Sequence, residues 1–230
     1  NTILQVALNP LVASVVDPAR LTSVFTLGQF MKAVSSFIGP ILVGWFSTMA
    51  FGWKSIFVAY AAISLLAFLW LLLTKVNEGE RKEESASMVE TFKLFADTRI
   101  LMFFIGILVL VGVDVGMNIT FPKYLSDTFS LSTSDAGMGN SIYFLSRTVG
   151  TFLGGIILIK FQERNFFIGS VVTGLAGLVL MLCVQQLWAA YAGVVIFGLG
   201  YSNLFAMIFS NAIKYRPEKS NEISALLIVG

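Results

Sequence analysis

The chain has 230 residues, of which 57% are hydrophobic and only 12% are charged, and its formal net charge is +2. Soluble domains carry about 25% charged residues, so this composition excludes an ordinary water-soluble fold and indicates apolar groups that face lipid. The small net charge gives no support for a nucleic-acid partner. Because histidine is absent and Cys183 is the single cysteine, a disulfide framework and a Cys/His metal site are excluded within this chain. We expect no metal and no cofactor.

Six apolar runs are long enough to cross a bilayer as helices, which takes about 20 mostly apolar residues. They cover residues 23–50, 54–74, 100–124, 136–159, 165–184 and 187–213. A partial span covers 2–16, and another begins near Ile223, so we expect the natural protein to be longer at both ends. The runs are continuously apolar rather than alternating, which excludes β-barrel strands. The sequence therefore predicts an all-α membrane protein.

A polar link over residues 75–99 is rich in Lys, Arg, Glu and Asp and divides the chain into two halves, 1–74 and 100–230. Its later part, Met88 to Phe95, has apolar residues at helical spacing. This part is either a helix that lies along the membrane surface or a solvated linker, and the sequence favours neither.

Alternate loops of the predicted bundle are basic. The basic loops lie at 17–21, 75–99, 160–164 and 214–219, whereas the turns at 125–135 and 185–187 carry no Lys or Arg. Cytoplasmic loops carry the excess of Lys and Arg in membrane proteins. We therefore place the 75–99 link in the cytoplasm, and Lys54 is the exception to the pattern.

Three ionisable residues lie well inside apolar runs: Lys32, Asp114 and Arg147. Each costs about 2.5–3.5 kcal/mol at a helix centre on insertion scales, so each should face the bundle interior or a watery cavity. Asp114 is the carboxylate at depth and can take up and release a proton, with Arg147 tuning it. The alternative is a static ion pair of Asp114 with Lys32 or Arg147 that holds the helices in register.

Neutral polar residues accompany these charges within the apolar runs. Gln29 lies three residues before Lys32, and Asn118 lies four residues after Asp114, so each shares a helical face with its charged neighbour. Such amides also hydrogen-bond between helices. The predicted solute-binding residues are Gln5, Asn9, Gln29, Lys32, Asn118 and Asn203.

Five stretches resemble a known family. Residues 4–12 (LQVALNPLV) resemble helix four, and residues 27–32 (LGQFMK) resemble helix five, of the fucose, glucose and galactose:proton symporters of the major facilitator superfamily. Residues 111–115 (VGVDV), 146–151 (SRTVGT) and 208–214 (IFSNAIK) resemble stretches of helices seven, eight and ten. The stretches occur in the family's order and extend over nearly the whole chain.

The resemblance implies a twelve-helix fold of two six-helix bundles, of which this chain carries the end of helix four to the start of helix eleven. Residues 1–74 would form the end of the first bundle, helices four to six. Residues 75–99 would be the cytoplasmic loop between the bundles, and residues 100–230 would form the second bundle from helix seven to the start of helix eleven. It also implies that Gln5, Gln29, Asp114 and Arg147 line or flank a central cavity.

The implied function is transport of a sugar or related polar solute across a bacterial inner (plasma) membrane by alternating access, with proton symport through Asp114. The chain departs from the family at Gln5, where some members have Glu, and at Lys32, where they have Asn. The alternative is therefore transport of an anionic solute such as a sugar acid, selected by Lys32 and not coupled through Asp114. A membrane enzyme or signalling protein is less favoured, because no nucleophile turn or phosphate loop is present.

Overall fold

The computed structural model describes residues 2–47, 54–74 and 88–229 of the chain. Regular structure in these ranges is helical. Ten α-helices follow one another as α1 Thr2–Val15, α2 Leu21–Ser47, α3 Ser55–Leu73, α4 Met88–Lys93, α5 Thr98–Phe129, α6 Thr133–Ile157, α7 Glu163–Cys183, α8 Leu187–Tyr201, α9 Leu204–Tyr215 and α10 Ser220–Val229. Single 3₁₀ turns at Leu94–Ala96 and Pro217–Lys219 precede α5 and α10.

Four helical stretches among the described residues are long and apolar enough to cross a membrane. They are Ser55–Leu73, Thr98–Phe129, Glu163–Cys183 and Leu187–Tyr215. Helix α3 is almost wholly exposed, with Trp70 77% and Leu73 85% accessible. Such a helix is stable only where lipid covers it. The prediction of an all-α integral membrane protein is confirmed.

The observed boundaries of α5 have local causes. Asp97 caps the helix start, because its carboxylate accepts a hydrogen bond from the backbone N–H of Arg99 at 3.0 Å. The helix ends at Phe129 because Ser130 takes a left-handed conformation with φ 55°. Helix α5 therefore extends beyond the predicted span 100–124 at both ends.

The predicted span 187–213 is present as Leu187–Tyr215, and its helix is interrupted between Tyr201 and Leu204. Side chains at the interruption hydrogen-bond outside the regular helical pattern. The Ser202 hydroxyl donates to the Leu199 carbonyl at 2.7 Å, and the Asn203 amide donates to the Gly150 carbonyl of α6 at 3.0 Å. Such side-chain bonds compete with the helix backbone, and they divide the span into α8 and α9.

Helices α7 and α8 pack closely through glycines. A Cβ built on Gly177 would lie 2.4 Å from the Phe197 nitrogen and 2.6 Å from the Gly193 oxygen. Small residues let two backbones approach closely where no water drives helix association. This contact fixes α8, which carries two aromatic residues of the candidate site.

The polar turns predicted to be cytoplasmic meet at one end of the bundle. Asp97, before α5, forms an ion pair of 2.8 Å with Arg216, after α9. Lys214 forms an ion pair with Glu163 at the start of α7. Within the predicted 75–99 link, α4 agrees with the surface-helix alternative, and residues 75–87 lie outside the described residues.

Candidate functional site

An ion pair between Asp114 and Arg147 lies at the middle of the bundle. Asp114 is the seventeenth of the 32 residues of α5, and Arg147 is the fifteenth of the 25 residues of α6. Nη1 of Arg147 lies 2.5 Å from Oδ1 of Asp114. Each side chain remains 26% accessible. The pair therefore lies near the middle of both helices and is partly accessible.

Aromatic rings surround the guanidinium of Arg147. The ring of Tyr201 lies 5.1 Å and that of Tyr143 lies 5.6 Å from its central carbon, which is the distance of cation–π contact. Phe197 stacks between the two tyrosines, with centroids 5.9 Å from Tyr143 and 5.7 Å from Tyr201. These rings fix the plane of the guanidinium.

Both tyrosine hydroxyls are committed to hydrogen bonds. Tyr143 donates to Oδ1 of Asp114 at 2.7 Å, and Tyr201 donates to the Leu110 carbonyl of α5 at 2.8 Å. Neither tyrosine was among the predicted site residues. A signal was available for Tyr143, because it precedes Arg147 by four residues and so shares its helical face.

Arg147 keeps donors that the ion pair does not use. A guanidinium carries five N–H groups in a planar fork. Within the described part of the chain, the hydrogen bond that Arg147 makes to a side chain runs from Nη1 to Asp114. The other edges of the fork are therefore available to a planar oxyanion, which such a fork binds through two parallel bonds.

Two asparagines extend this site along α5 and α6. The Asn118 amide donates to the Asp114 carbonyl at 2.9 Å, and the Asn140 amide donates to the Asn118 carbonyl at 3.0 Å. The side-chain oxygens of both residues are buried without a hydrogen-bond partner among the described residues. The predicted proximity of Asn118 to Asp114 agrees with this arrangement, whereas Asn140 was not among the predicted site residues.

Lys32 and Gln29 lie on α2, which packs along α6. Ser23 donates to the Gly155 carbonyl, and the rings of Phe30 and Phe152 lie 5.1 Å apart, so the two helices run antiparallel. Continuing this register places Lys32 opposite residue 150, about 5 Å along the axis from Arg147. Lys32 is exposed and Gln29 is half-buried. A second cation therefore lies at the level of the ion pair.

The remaining predicted residues lie apart from the ion pair. Asn203 is 2% accessible and is held between α6 and α9 by its bond to Gly150. A Cβ on Gly154 would meet the Asn203 side chain at 2.2 Å, so this amide fills a helix–helix contact. Asn9 is half-buried on α1, which packs against α10. The side chain of Gln5 lies outside the described residues.

A second polar cluster joins the two predicted halves at the end with the basic loops. Thr22 of α2 donates to Oε1 of Glu163 at 2.7 Å and accepts from Nζ of Lys214 at 2.9 Å. Its hydroxyl also lies 2.7 Å from that of Ser210. These contacts join α2, α7 and α9 at this end of the bundle, and none of the four residues was among the predicted site residues.

These features define a class of protein. Apolar helices carry a partly accessible ion pair near the middle of α5 and α6, and a polar cluster joins α2, α7 and α9 at one end. Ion pairs inside apolar helices are typical of membrane proteins with a functional site inside the helical bundle. The sequence match agrees, because the family model of the major facilitator superfamily matches residues 2–229. The chain belongs to this superfamily, which confirms that part of the predicted resemblance.

The curated relatives carry nitrate names. The chain is 29% identical over 161 residues to the probable nitrate transporter NarT of Staphylococcus epidermidis, which covers 69% of this chain and 40% of the relative. It is 27% identical over 193 residues to NarT of Staphylococcus carnosus, covering 80% and 47%. It is 23% identical over 149 residues to the probable nitrate/nitrite antiporter NarK1 of Thermus thermophilus, covering 62% and 34%. The chain spans less than half the length of each of these relatives.

Proposed function

We propose that the full-length protein transports a small inorganic anion of the nitrate class across a bacterial inner membrane by alternating access. Arg147 would be the principal anion ligand, and Lys32 would be the second cation. The solute class is that of the anion alternative in the sequence analysis, with a smaller solute than a sugar acid. Unlike that alternative, this proposal keeps Asp114 as the coupling residue.

The main support for the proposal is the position and the hydrogen bonding of the Arg147 guanidinium. This group lies near the middle of α6, keeps unused donors and is a quarter accessible. Arg binds a planar oxyanion bidentately, and such bonds to charged groups are about twice as strong as neutral ones. Two flanking tyrosine rings hold the fork in one orientation, which lowers the entropic cost of binding.

A second cation near Arg147 supports an anionic solute. The register of α2 against α6 places Lys32 about 5 Å along the axis from Arg147. An anion between the two helices would therefore be attracted by both side chains.

Asp114 would act as the internal competitor of the solute. Its carboxylate already occupies one edge of the Arg147 fork, as an anion would. An anion that enters the site must share Arg147 with Asp114 or displace it. Protonation of Asp114 would release Arg147 and favour anion binding, so the same contact would link proton uptake to the solute.

The sugar symport hypothesis retains one supporting observation. The side-chain oxygens of Asn118 and Asn140 are buried and accept no hydrogen bond from the described residues. Nitrate has no donor for them, whereas a sugar hydroxyl does. The names of the curated relatives favour the anion, so sugar is the second candidate.

Equilibrium binding to the purified full-length protein tests the choice. A ligand that binds the folded state raises the unfolding temperature. We expect nitrate to raise it in the wild type and fucose to leave it unchanged. The variant Arg147→Gln should lose the nitrate effect, while Arg164→Gln, which removes an exposed cation elsewhere, should keep it. A rise with fucose alone would reject the anion proposal.

A further inference from the structure

A cavity of about 410 Å³ opens at the end of the bundle where the basic turns meet. It is lined by Lys93, Leu94, Ala96, Asp97, Arg216 and Lys219. It therefore lies between the segment that leads into α5 and the turn that joins α9 to α10. Its volume falls within the range of about 300–1,000 Å³ that small-molecule sites occupy. It is separate from the Arg147 site, which lies at the middle of the bundle.

The lining carries an excess of positive charge. Asp97 forms a 2.8 Å ion pair with Arg216 and accepts from the Tyr215 hydroxyl at 3.3 Å, so one cation is already compensated. Lys93 and Lys219 form no ion pair with any residue that the structure describes. Two ammonium groups therefore approach the cavity from opposite sides without a counter-ion from these residues.

Several contacts hold the geometry of the cavity. Asp97 is fixed by its cap on α5, and the guanidinium of Arg216 lies 5.7 Å from the centroid of the Tyr215 ring. Leu94 is buried in the hydrophobic core and forms the floor. Lys93 and Lys219 thus line the cavity from two segments that these contacts hold in place.

An exposed aromatic residue adjoins the cavity. Phe92 is 64% accessible and lies next to Lys93, with its ring 6.2 Å from that of Phe95, which packs on Phe104. Helix α4 therefore lies beside the start of α5, at the end of the bundle where the basic turns meet. An exposed Phe beside basic residues is typical of helices that insert apolar side chains among acyl chains, which favours a ligand that brings its own acyl chains.

We propose that this cavity binds a phosphate group, and that the phosphate belongs to the headgroup of an anionic phospholipid. Lys93 and Lys219 contact the phosphate oxygens, and Phe92 contacts the acyl region. Basic pockets on the cytoplasmic side of membrane proteins bind such headgroups, and the charge pattern of the loops places this end in the cytoplasm. The site is independent of the transported solute.

The test uses the full-length protein in neutral detergent, titrated with phosphatidylglycerol or phosphatidylcholine, with the unfolding temperature as the readout. We expect phosphatidylglycerol to raise the unfolding temperature and phosphatidylcholine not to. The double variant Lys93→Gln/Lys219→Gln should bind phosphatidylglycerol at least about tenfold more weakly. Lys93→Arg/Lys219→Arg keeps both charges and should retain binding, which separates charge loss from misfolding.

A charge-matched control distinguishes lipid binding in this cavity from a general attraction between anionic lipid and the basic end of the bundle. Lys160→Gln/Arg164→Gln also removes two exposed cations from the same end of the bundle and should bind like the wild type. Equal loss in both double variants would overturn the proposal, as would equal stabilisation by phosphatidylcholine. An equal shift with inorganic phosphate or glycerol 3-phosphate would reject the lipid as the source. Nitrate binding through Arg147 should be unchanged in every variant, whichever way the lipid result falls.

Discussion

Asp114 and Arg147 meet through a single carboxylate oxygen, Oδ1, which also accepts the Tyr143 hydroxyl. Arg147 Nη1 lies 2.5 Å and the Tyr143 hydroxyl 2.7 Å from that oxygen. Two donors on one helix, four residues apart, thereby hold one acceptor on the neighbouring helix. This contact is predicted both by an ion pair that only holds the helices in register and by an ion pair that takes part in transport. Variants are therefore needed to distinguish these two roles.

Asp114→Asn removes the internal competitor for Arg147. We expect a lower concentration of nitrate for half-maximal exchange in proteoliposomes, and loss of the stimulation of uptake by external acid. Exchange itself should persist. The amide keeps the size of the side chain, and Asp127→Asn, an exposed position on the same helix, is the matched control. A variant that keeps its acid stimulation excludes Asp114 from coupling, and one that loses folded protein supports the static pair.

Arg147→Lys keeps the positive charge but replaces a planar fork with a point charge. We expect the affinity for nitrate to fall about tenfold or more, since the loss of one strong hydrogen bond costs about 1.5–3 kcal/mol. The KM for nitrate uptake is the measurement. An unchanged KM would show that charge alone matters at this position and would contradict bidentate binding of nitrate by Arg147.

Lys32→Asn replaces the lysine with the asparagine that the sugar symporters have at this position. We expect anion transport to fall specifically, because the charge of the site decreases by one. Lys54→Asn, also exposed but near the start of α3, should transport normally. Equal nitrate transport by wild type and Lys32→Asn would remove Lys32 from anion selection.

Thr22→Val removes the hydroxyl that joins α2 to Glu163 and Lys214. We expect α2 to separate more often from α7 and α9 at this end of the bundle. A cysteine introduced by Thr26→Cys, at a buried position one turn further along α2, should then react faster with a maleimide. Cys183 is exposed and is replaced first. Thr120→Val, whose hydroxyl bonds within its own helix, should leave the rate unchanged.

Gly177→Ala should destabilise the fold, because the added Cβ would lie 2.4 Å from a backbone nitrogen of α8. Overpacking of this kind costs about 1–3 kcal/mol. Gly169→Ala lies on the same helix and meets nothing within 4 Å, so it should be neutral or slightly stabilising. Unfolding temperatures in detergent compare the two, and equal values would contradict the close packing of α7 on α8.

The fold was largely predictable from the sequence, because spans such as 165–184 are long apolar runs with clear polar ends. The interruption at Ser202–Asn203 was not, since it depends on a bond from Asn203 to Gly150 of another helix. The depth of Asp114 and Arg147 was likewise predictable from their apolar surroundings. The Thr22–Glu163–Lys214 cluster was not, because its members lie near helix ends, where polar residues are ordinary.

Short motifs are a weak guide to the solute that a protein of this superfamily transports. Short stretches such as 111–115 (VGVDV) agree with the superfamily match over residues 2–229, but the curated relatives carry nitrate names rather than sugar names. Lys32 carried more information, because it puts a cation where the sugar symporter pattern has Asn. It pointed to the anion alternative, which the nitrate names of the relatives also favour.

The most direct test is uptake by the full-length protein in proteoliposomes, with and without an inward proton gradient. The panel holds labelled nitrate, nitrite, a hexuronate, fucose, galactose and glucose. We predict saturable uptake of nitrate that Arg147→Gln abolishes, and no uptake of the neutral sugars. Gradient-stimulated uptake of a neutral sugar, with none of nitrate, would contradict the anion proposal and restore sugar–proton symport through Asp114.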